Sequence, residues 1–97
     1  MAVVINQNAG VISMSAEDDE VAIPLQVKSV RFVAGAGQLA ADVIQLVDPQ
    51  ATSEVLWATY GMSAQATEAE LIEKMWHNGV RVGTMTGDRG TVYISYK

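Results

Sequence analysis

The feature that most constrains the fold of this chain is its alternation of turn-forming glycines with short runs of Val, Ile, Thr and aromatic residues. β-branched and aromatic side chains suit the half-buried surface of a sheet, and glycine interrupts a strand. Val27–Ala34 is the best candidate for a central strand, because apolar residues occupy its alternate positions. One of its faces holds Val30, Phe32 and Ala34, with Lys28 in line with them near the start. The other face holds Ser29, Arg31 and Val33. The pattern predicts a mainly β protein.

Length and composition limit the possible functions. The chain has 97 residues and a mass of 10.4 kDa, which suits one domain, residues 1–97, with one modest core. Its net charge of −5 argues against a nucleic-acid partner, because binding that backbone needs a cluster of Lys and Arg. The absence of cysteine and the presence of a single histidine exclude thiolate and multi-histidine metal sites. We expect no enzymatic activity, no catalytic residues, no cofactor and no metal.

A membrane partner is not expected either. No apolar run reaches the ~18–20 residues that a spanning helix needs. The first residues lack the basic region of a secretory signal, so we expect no signal peptide.

Further strands and turns are expected along the rest of the chain. Residues 54–60 form a strand candidate, preceded by a turn at residues 48–53 that contains an Asp-Pro step. Val80–Met85 and residues 91–97 are predicted to form a hairpin around residues 87–90.

Residues 39–47 fit two structures. As a helix, the segment places its apolar residues on one side and Gln38, Asp42 and Gln45 on the other. As a strand, residues 43–47 are an apolar run bounded by turn residues. Short apolar runs do not distinguish the two. We prefer the strand, partly because of a family resemblance described below.

Residues 67–77 carry the strongest helix signal. Thr67 and Glu70 fit a capping box, in which each side chain binds a backbone N–H of the first turn. An apolar stripe follows, made of Leu71, Ile72, Met75 and Trp76. Gly79 suits the left-handed position after a helix. We expect one short helix near 68–77, and the alternative is a hairpin turn at Asn78-Gly79.

Two local motifs have a functional and a structural interpretation. Gly35–Ala40 has the form G-x-G-x-x-A after a strand, like a dinucleotide-binding loop, although the strand that follows ends without an acidic residue for the ribose. We interpret it as an inter-strand loop. The acidic run Glu17–Glu20 lacks the ligand spacing of a calcium loop, so we expect an exposed, solvated loop that could meet a basic patch on a partner.

The two tryptophans are expected to differ in burial. Trp57 lies in a strand whose two faces are both largely apolar, so we predict a central strand with Trp57 in the core. Trp76 would stand at the end of the predicted helix, where we expect it to be partly exposed. His77, at the same end, is interpreted as a capping or surface residue.

The first fifteen residues are unusually apolar, and residues 2–5 and 9–14 carry no charge. Terminal segments fray unless they are held by contacts. This segment, residues 1–15, either pairs within the protein's own sheet or adds a strand to a neighbouring subunit. The candidate interface residues are Val3, Val4, Ile5, Val11, Ile12 and Met14.

The order of these pieces resembles the small β-rich accessory proteins of tailed-phage virions, of the capsid decoration or cement type. The resemblance rests on Val30-Arg31-Phe32, Asp42-Val43-Ile44, Leu46-Val47-Asp48, Val55-Leu56-Trp57, residues 78–82 and residues 90–96. It covers about half of the chain, and residues 61–77 depart from it.

The resemblance implies an antiparallel, jelly-roll-like β-sandwich that docks on a capsid lattice and reinforces it by bridging neighbouring subunits. It also implies a virion location at the capsid surface, synthesis in the host cytoplasm, and the major capsid protein or another virion protein as partner. We expect a homo-oligomer. The alternatives are a tail or connector component, or a small nucleotide- or ligand-binding domain that uses the Gly35–Gly37 loop. The sequence leaves the symmetry of the oligomer and the inner or outer face of the shell open.

Overall fold

The structure is a computed structural model that describes residues 3–6, 10–37, 42–60, 67–86 and 90–97. Within these ranges the chain forms nine strands and no α-helix. The strands are β1 (Val3–Asn6), β2 (Val11–Met14), β3 (Glu20–Val21), β4 (Leu25–Ala34), β5 (Val43–Asp48), β6 (Ala51–Tyr60), β7 (Thr67–Trp76), β8 (Val80–Met85) and β9 (Gly90–Tyr96). The prediction of a mainly β protein is confirmed. A search of the described residues found no helix that is long and apolar enough to cross a membrane.

The described strands build two antiparallel sheets, in the orders β1-β2-β9-β4-β7 and β3-β8-β5-β6. The eight strands from β2 to β9 pair as a nested hairpin: β2 with β9, β3 with β8, β4 with β7, and β5 with β6. Pairs between β4 and β9 and between β5 and β8 complete the two sheets. This is the strand plan of a jelly roll, and β1 is an added outer strand beside β2.

The core lies between the two sheets and follows the period-two pattern of their strands. Fully buried residues alternate with half-buried or exposed ones along β2 and β4. The largest fully buried side chain is Phe32, which faces Val92 of β9 across the strand pair. The rest of the fully buried set includes Ile12, Met14, Leu25, Ile44, Leu46, Val82, Met85 and Ile94. Val30, Phe32 and Ala34 share a buried face, whereas Lys28, predicted in line with them, is exposed. A bulge between Val27 and Ser29 shifts the alternation, so that Val27 is buried instead.

Trp57 is buried, with 6% of its surface exposed, as the sequence predicts. Its strand is not central, however, because β6 lies at the edge of the described four-stranded sheet. A bulge at Leu56 explains the error: the consecutive residues Leu46 and Val47 of β5 pair with Trp57 and Val55. Trp57 and Val55 therefore point to opposite faces, and Val55 is 48% exposed.

The helix predicted near 68–77 is wrong, because this segment is strand β7. It pairs with β4 along almost its whole length, from Val33 opposite Thr67 to Leu25 opposite Trp76. Local capping and apolar spacing favoured a helix. The backbone of this segment instead forms its hydrogen bonds with β4, a distant strand that local signals do not reveal. Trp76 is consequently buried rather than partly exposed, and the exposed His77 lies in a turn after a strand.

The turn after β7 depends on a glycine. Gly79 has φ +89°, and its N–H donates to the carbonyl oxygen of Trp76 at 3.2 Å. A side chain at this position would collide with the carbonyl oxygen of Val21, so only glycine fits both the angle and the space. The left-handed conformation expected of Gly79 is correct, although the element it follows is a strand.

The hairpin predicted between residues 80–85 and 91–97 is also wrong. β8 pairs with β3 and β5, whereas β9 pairs with β2 and β4 in the opposite sheet. The connection therefore crosses the sandwich, and residues 87–89 lie outside the described part. Turn residues between two apolar runs predict a reversal of the chain, but they do not show which sheet the next strand joins.

Residues 43–48 form strand β5, as preferred over the helix, and residues 38–41 lie outside the described ranges. The turn at Asp48 is shorter than expected, because β6 begins at Ala51. The Asp48 carboxylate accepts hydrogen bonds from the N–H groups of Gln50 at 2.8 Å and Ala51 at 3.2 Å. The amide of Asn78 donates to the same carboxylate at 3.2 Å, which ties the β5–β6 turn to the β7–β8 turn.

Candidate functional site

The candidate site is the outer edge of β1, which we call the β1 edge and define as Val3–Asn6. Among the described strands, β1 is paired on one side only, with β2. Val3 and Ile5 lie opposite Met14 and Ile12, so all four side chains point to the inner side of the sheet. The two residues of β2 are fully buried, whereas Val3 is 38% and Ile5 is 44% exposed. The β1 edge therefore presents apolar side chains that the protein only partly covers.

The structure divides five of the six predicted interface residues into three groups. Ile12 and Met14 are core residues with no exposed surface, so their assignment to an interface is wrong. Val11 is half-buried on the outer face of the same strand. Val3 and Ile5 are exposed, and the side chain of Val4 lies outside what the structure describes. Successive side chains of a strand point to opposite faces of the sheet, so only every second residue of the apolar run in β2 faces the core.

The backbone of the β1 edge is as important as its side chains. In an antiparallel strand, alternate residues direct their N–H and C=O groups toward each neighbour, so an edge strand has a free row of donors and acceptors. Such a row can bind an extended segment of a partner by strand addition. The residues from Val3 to Asn6 carry no charge and no proline that would discourage this pairing.

The opposite edge of the same sheet, β7, has different chemistry. Glu68 and Glu70 lie opposite Phe32 and Val30, so they point to the inner side of the sheet, yet both are exposed. A bulge follows, in which Glu73 adopts a φ of +51°. Inward-pointing charges and bulges are two devices that prevent unwanted pairing at an edge. The β7 edge is thus protected, and we do not assign a docking role to it.

The acidic run at residues 17–20 is not the fully solvated loop that the sequence predicts. Asp19 is only 2% exposed, and its Oδ2 accepts hydrogen bonds from the N–H groups of Ser15 and Ala16, both at 3.1 Å. The backbone of Asp19 also bonds with Val82, whose N–H donates to its carbonyl at 2.8 Å. The carboxylate thus folds the β2–β3 loop and does not serve as a free acceptor for a partner.

The other three residues of the run connect this loop to β8. Oε2 of Glu17 accepts a hydrogen bond from the N–H of Met85 at 3.1 Å. Arg81 forms salt bridges with Asp18 at 2.7 Å and Glu20 at 3.4 Å. Across the ranges that the structure covers, no three His, Cys, Asp or Glu side chains are grouped so that they could hold a metal ion.

The glycine loop after β4 lacks the context of a dinucleotide site in the described ranges. Such a site needs a strand followed by a helix in a parallel sheet, with the phosphates at the helix N-terminus. Here β4 leads to β5, which lies in the other antiparallel sheet. Residues 38–41 are outside the described part, so they add nothing to this comparison.

A groove on the outer face of the five-stranded sheet was not predicted from the sequence. Its volume is about 350 Å³, and it lies beside Arg31, whose guanidinium carbon is 4.9 Å from the centre of the Tyr93 ring. The sequence contains one signal for it, the outward position of Arg31 on β4. The partner Tyr93 could not be found in this way, because their contact depends on the register of β4 and β9.

Comparisons with known proteins do not assign the chain to a group. No family model matches it, and no curated protein or solved structure matches it. The function is therefore argued from the fold and the surfaces described above.

Proposed function

We propose that this chain is a structural, non-enzymatic binding module that joins a larger protein assembly through the β1 edge. The observation that supports this is the combination of partly exposed Val3 and Ile5 with an uncharged edge strand. Partner recognition would combine main-chain hydrogen bonds from strand addition with burial of these two side chains. Affinity would come from the apolar contact, and the strand pairing would fix the orientation.

The assembly that the sequence resemblance suggests is a tailed-phage capsid. In this proposal the protein is a decoration or cement protein at the capsid surface that bridges neighbouring subunits of the major capsid protein and itself forms small oligomers. A tail or connector component would use the same edge chemistry on a different virion protein.

Interface size sets a requirement on this proposal. A stable interface buries about 800 Å² on each partner, which is roughly a seventh of this chain's 5276 Å² of accessible surface. A four-residue strand supplies only part of that area. The partner must therefore also contact surface next to β1, and bridging two subunits needs a second contact of similar size.

The test is a pair of matched substitutions on opposite edges of one sheet. Ile5→Lys places a charge on the β1 edge, and Leu71→Lys places the same charge on β7, where Leu71 is 70% exposed. Both proteins are expected to stay folded in a thermal scan, because both positions are exposed. Only Ile5→Lys is expected to abolish self-association in analytical ultracentrifugation and co-sedimentation with capsids that lack the protein.

Equal binding by the two variants would refute the assignment of the β1 edge. The gene neighbourhood gives an independent check of the capsid context. We expect an adjacent gene for a major capsid protein, and a neighbourhood of unrelated genes would oppose the phage assignment while leaving the edge itself open to the sedimentation test.

A further inference from the structure

The outer face of the five-stranded sheet carries a depression formed by small side chains between larger ones. Across the sheet, one row of cross-strand neighbours is Ser13, Tyr93, Arg31 and Ala69, and the next is Val11, Ser95, Ser29 and Leu71. Six of these residues line the groove of about 350 Å³: Val11, Ser29, Arg31, Ala69, Tyr93 and Ser95. Ser29, Ser95 and Ala69 are short, so they leave space that the neighbouring side chains surround.

The positions in register on this face carry a charge opposite in sign to that of the whole chain. The chain has a net charge of −5, yet Arg31 is the one charged residue among the described positions that are in register on the outer face. Glu68 and Glu70 of β7 belong to the inner face. Within the described ranges, Arg31 has no carboxylate at salt-bridge distance, in contrast to Arg81, which has two.

The geometry of Arg31 leaves it free to bind an anion. Its guanidinium lies 4.9 Å from the centre of the Tyr93 ring, a cation–π contact that holds the side chain beside the groove. Arg31 is exposed, and the N–H groups of a guanidinium match a carboxylate as a bidentate pair.

We propose that this groove binds a small hydroxylated carboxylate, of which a uronic acid is the simplest example. Arg31 binds the carboxylate, the hydroxyls of Ser29 and Ser95 exchange hydrogen bonds with sugar hydroxyls, and Ala69 contacts a C–H face of the ring. Serine hydroxyls both donate and accept, as the hydroxyls of a sugar do. The groove volume lies at the lower end of the ~300–1,000 Å³ typical of ligand sites, which suits one or two sugar rings.

Two other occupants fit less well. A nucleic acid or polyphosphate needs several cations, whereas the described positions in register on this face offer one, on a chain of net negative charge. An extended peptide cannot add as a strand here, because β2, β9 and β4 already pair with neighbours on both sides.

The test measures binding of glucuronic acid to the full chain, with glucose as the matched sugar that lacks the carboxylate. Amide chemical shifts in an NMR titration locate the site, and we expect changes at residues 29–31 and 93–95 with glucuronic acid and much smaller ones with glucose. Arg31→Gln is expected to weaken binding by about tenfold or more, the usual effect of losing hydrogen bonds to a charged group. Lys74→Gln removes an exposed charge from β7, opposite Val27 on the inner face, and is expected to leave binding unchanged.

The outcomes separate this site from the proposed assembly function. Ile5→Lys is expected to bind glucuronic acid as the wild type does, so loss of one activity does not imply loss of the other. Equal binding of glucose and glucuronic acid would overturn the assignment to a carboxylate. Unchanged binding by Arg31→Gln, shifts confined to other residues, or stronger binding of inorganic phosphate than of glucuronic acid would each overturn it as well.

Discussion

The two edge strands of the five-stranded sheet differ in length and in charge. β7 is ten residues long and carries inward-pointing Glu68 and Glu70 and a bulge at Glu73. β1 is four residues long and carries no charge at all. A long edge strand without protection is a risk of aggregation, and the charges on β7 are one device that lowers this risk. β1 lacks such protection. Either this strand is too short for pairing at its edge to be harmful, or the pairing has a function.

The comparison also separates stability from binding. β7 holds Trp76, one of the buried residues of the core, whereas the side chains described on β1 are partly exposed. Truncation of the buried Trp76 in β7 should therefore affect folding, and changes in β1 should mainly affect association.

The largest effect is expected from truncating the buried tryptophans. Trp76→Ala and Trp57→Ala should each lower the free energy of unfolding by about 3–5 kcal/mol, because the lost transfer energy adds to the cavity left behind. Similar losses are expected, since the two side chains are exposed by only 5% and 6%. Urea denaturation measures them. Leu71→Ala, on the exposed side of β7, is the control and should change stability by about 0.5 kcal/mol or less.

A smaller loss of stability is expected when β1 is removed. Deleting residues 2–9 should cost roughly 2 kcal/mol, because Val3 and Ile5 are partly exposed and each contributes less than the about 1.5–3 kcal/mol of full burial. The truncated protein should remain folded but no longer self-associate. Its circular dichroism spectrum and sedimentation coefficient test both parts. Global unfolding would mean that β1 is part of the core, and intact assembly would mean that the β1 edge is not the interface.

Removing the protection of β7 should change association with little change in stability. The double substitution Glu68→Val and Glu70→Val is expected to produce higher oligomers in ultracentrifugation, while each exposed substitution shifts the unfolding free energy by about 0.5 kcal/mol or less. Thr67→Val is the matched control, because Thr67 lies on the outer face of the same strand. A monodisperse double variant would show that these two charges do not protect the edge.

The smallest effect concerns carboxylates that, unlike those of β7, are held inside the structure. Asp19 already accepts two backbone N–H groups, so a chelator should leave the melting temperature within about 4 °C of its value, the shift expected for 1 kcal/mol at this size. A larger fall in a thermal scan with EDTA would show that the acidic loop binds a structural metal.

The extent to which the sequence predicted the fold depended on whether the relevant signal was local. The grouping of Val30, Phe32 and Ala34 on one face of β4 was predicted, because alternation within a strand is a local pattern, but the bulge that leaves Lys28 exposed was not. β7 was predicted as a helix, because the side chains of Thr67 and Glu70 could bind backbone N–H groups in a first helical turn. The true partner of this segment is β4, which lies far away in the sequence. The hairpin expected between β8 and β9 was wrong for the same reason. Local turn residues predicted it, whereas the two strands join different sheets.

The candidate surfaces show the same division. The apolar character of residues 3–5 was visible in the sequence, but only the structure shows that Val3 and Ile5 stay partly exposed opposite the buried Met14 and Ile12. Arg31 and Tyr93 meet only because β4 and β9 are neighbours, and no spacing in the sequence reports this. Asp19 looked like its three acidic neighbours, and its burial depends on bonds with the backbone around it.

The nested pairing of the strands has a consequence for how the protein folds. β2 lies between β1 and β9, so the inner positions of Ile12 and Met14 are not closed on one side until a strand from the far end of the chain arrives. Contacts between such distant segments require closure of long loops, which slows folding into the range of about milliseconds to seconds typical of all-β domains. During synthesis, β2 cannot pair with β9 until β9 has left the ribosome. The early strands are therefore exposed to aggregation for the whole time that the rest of the chain is being made.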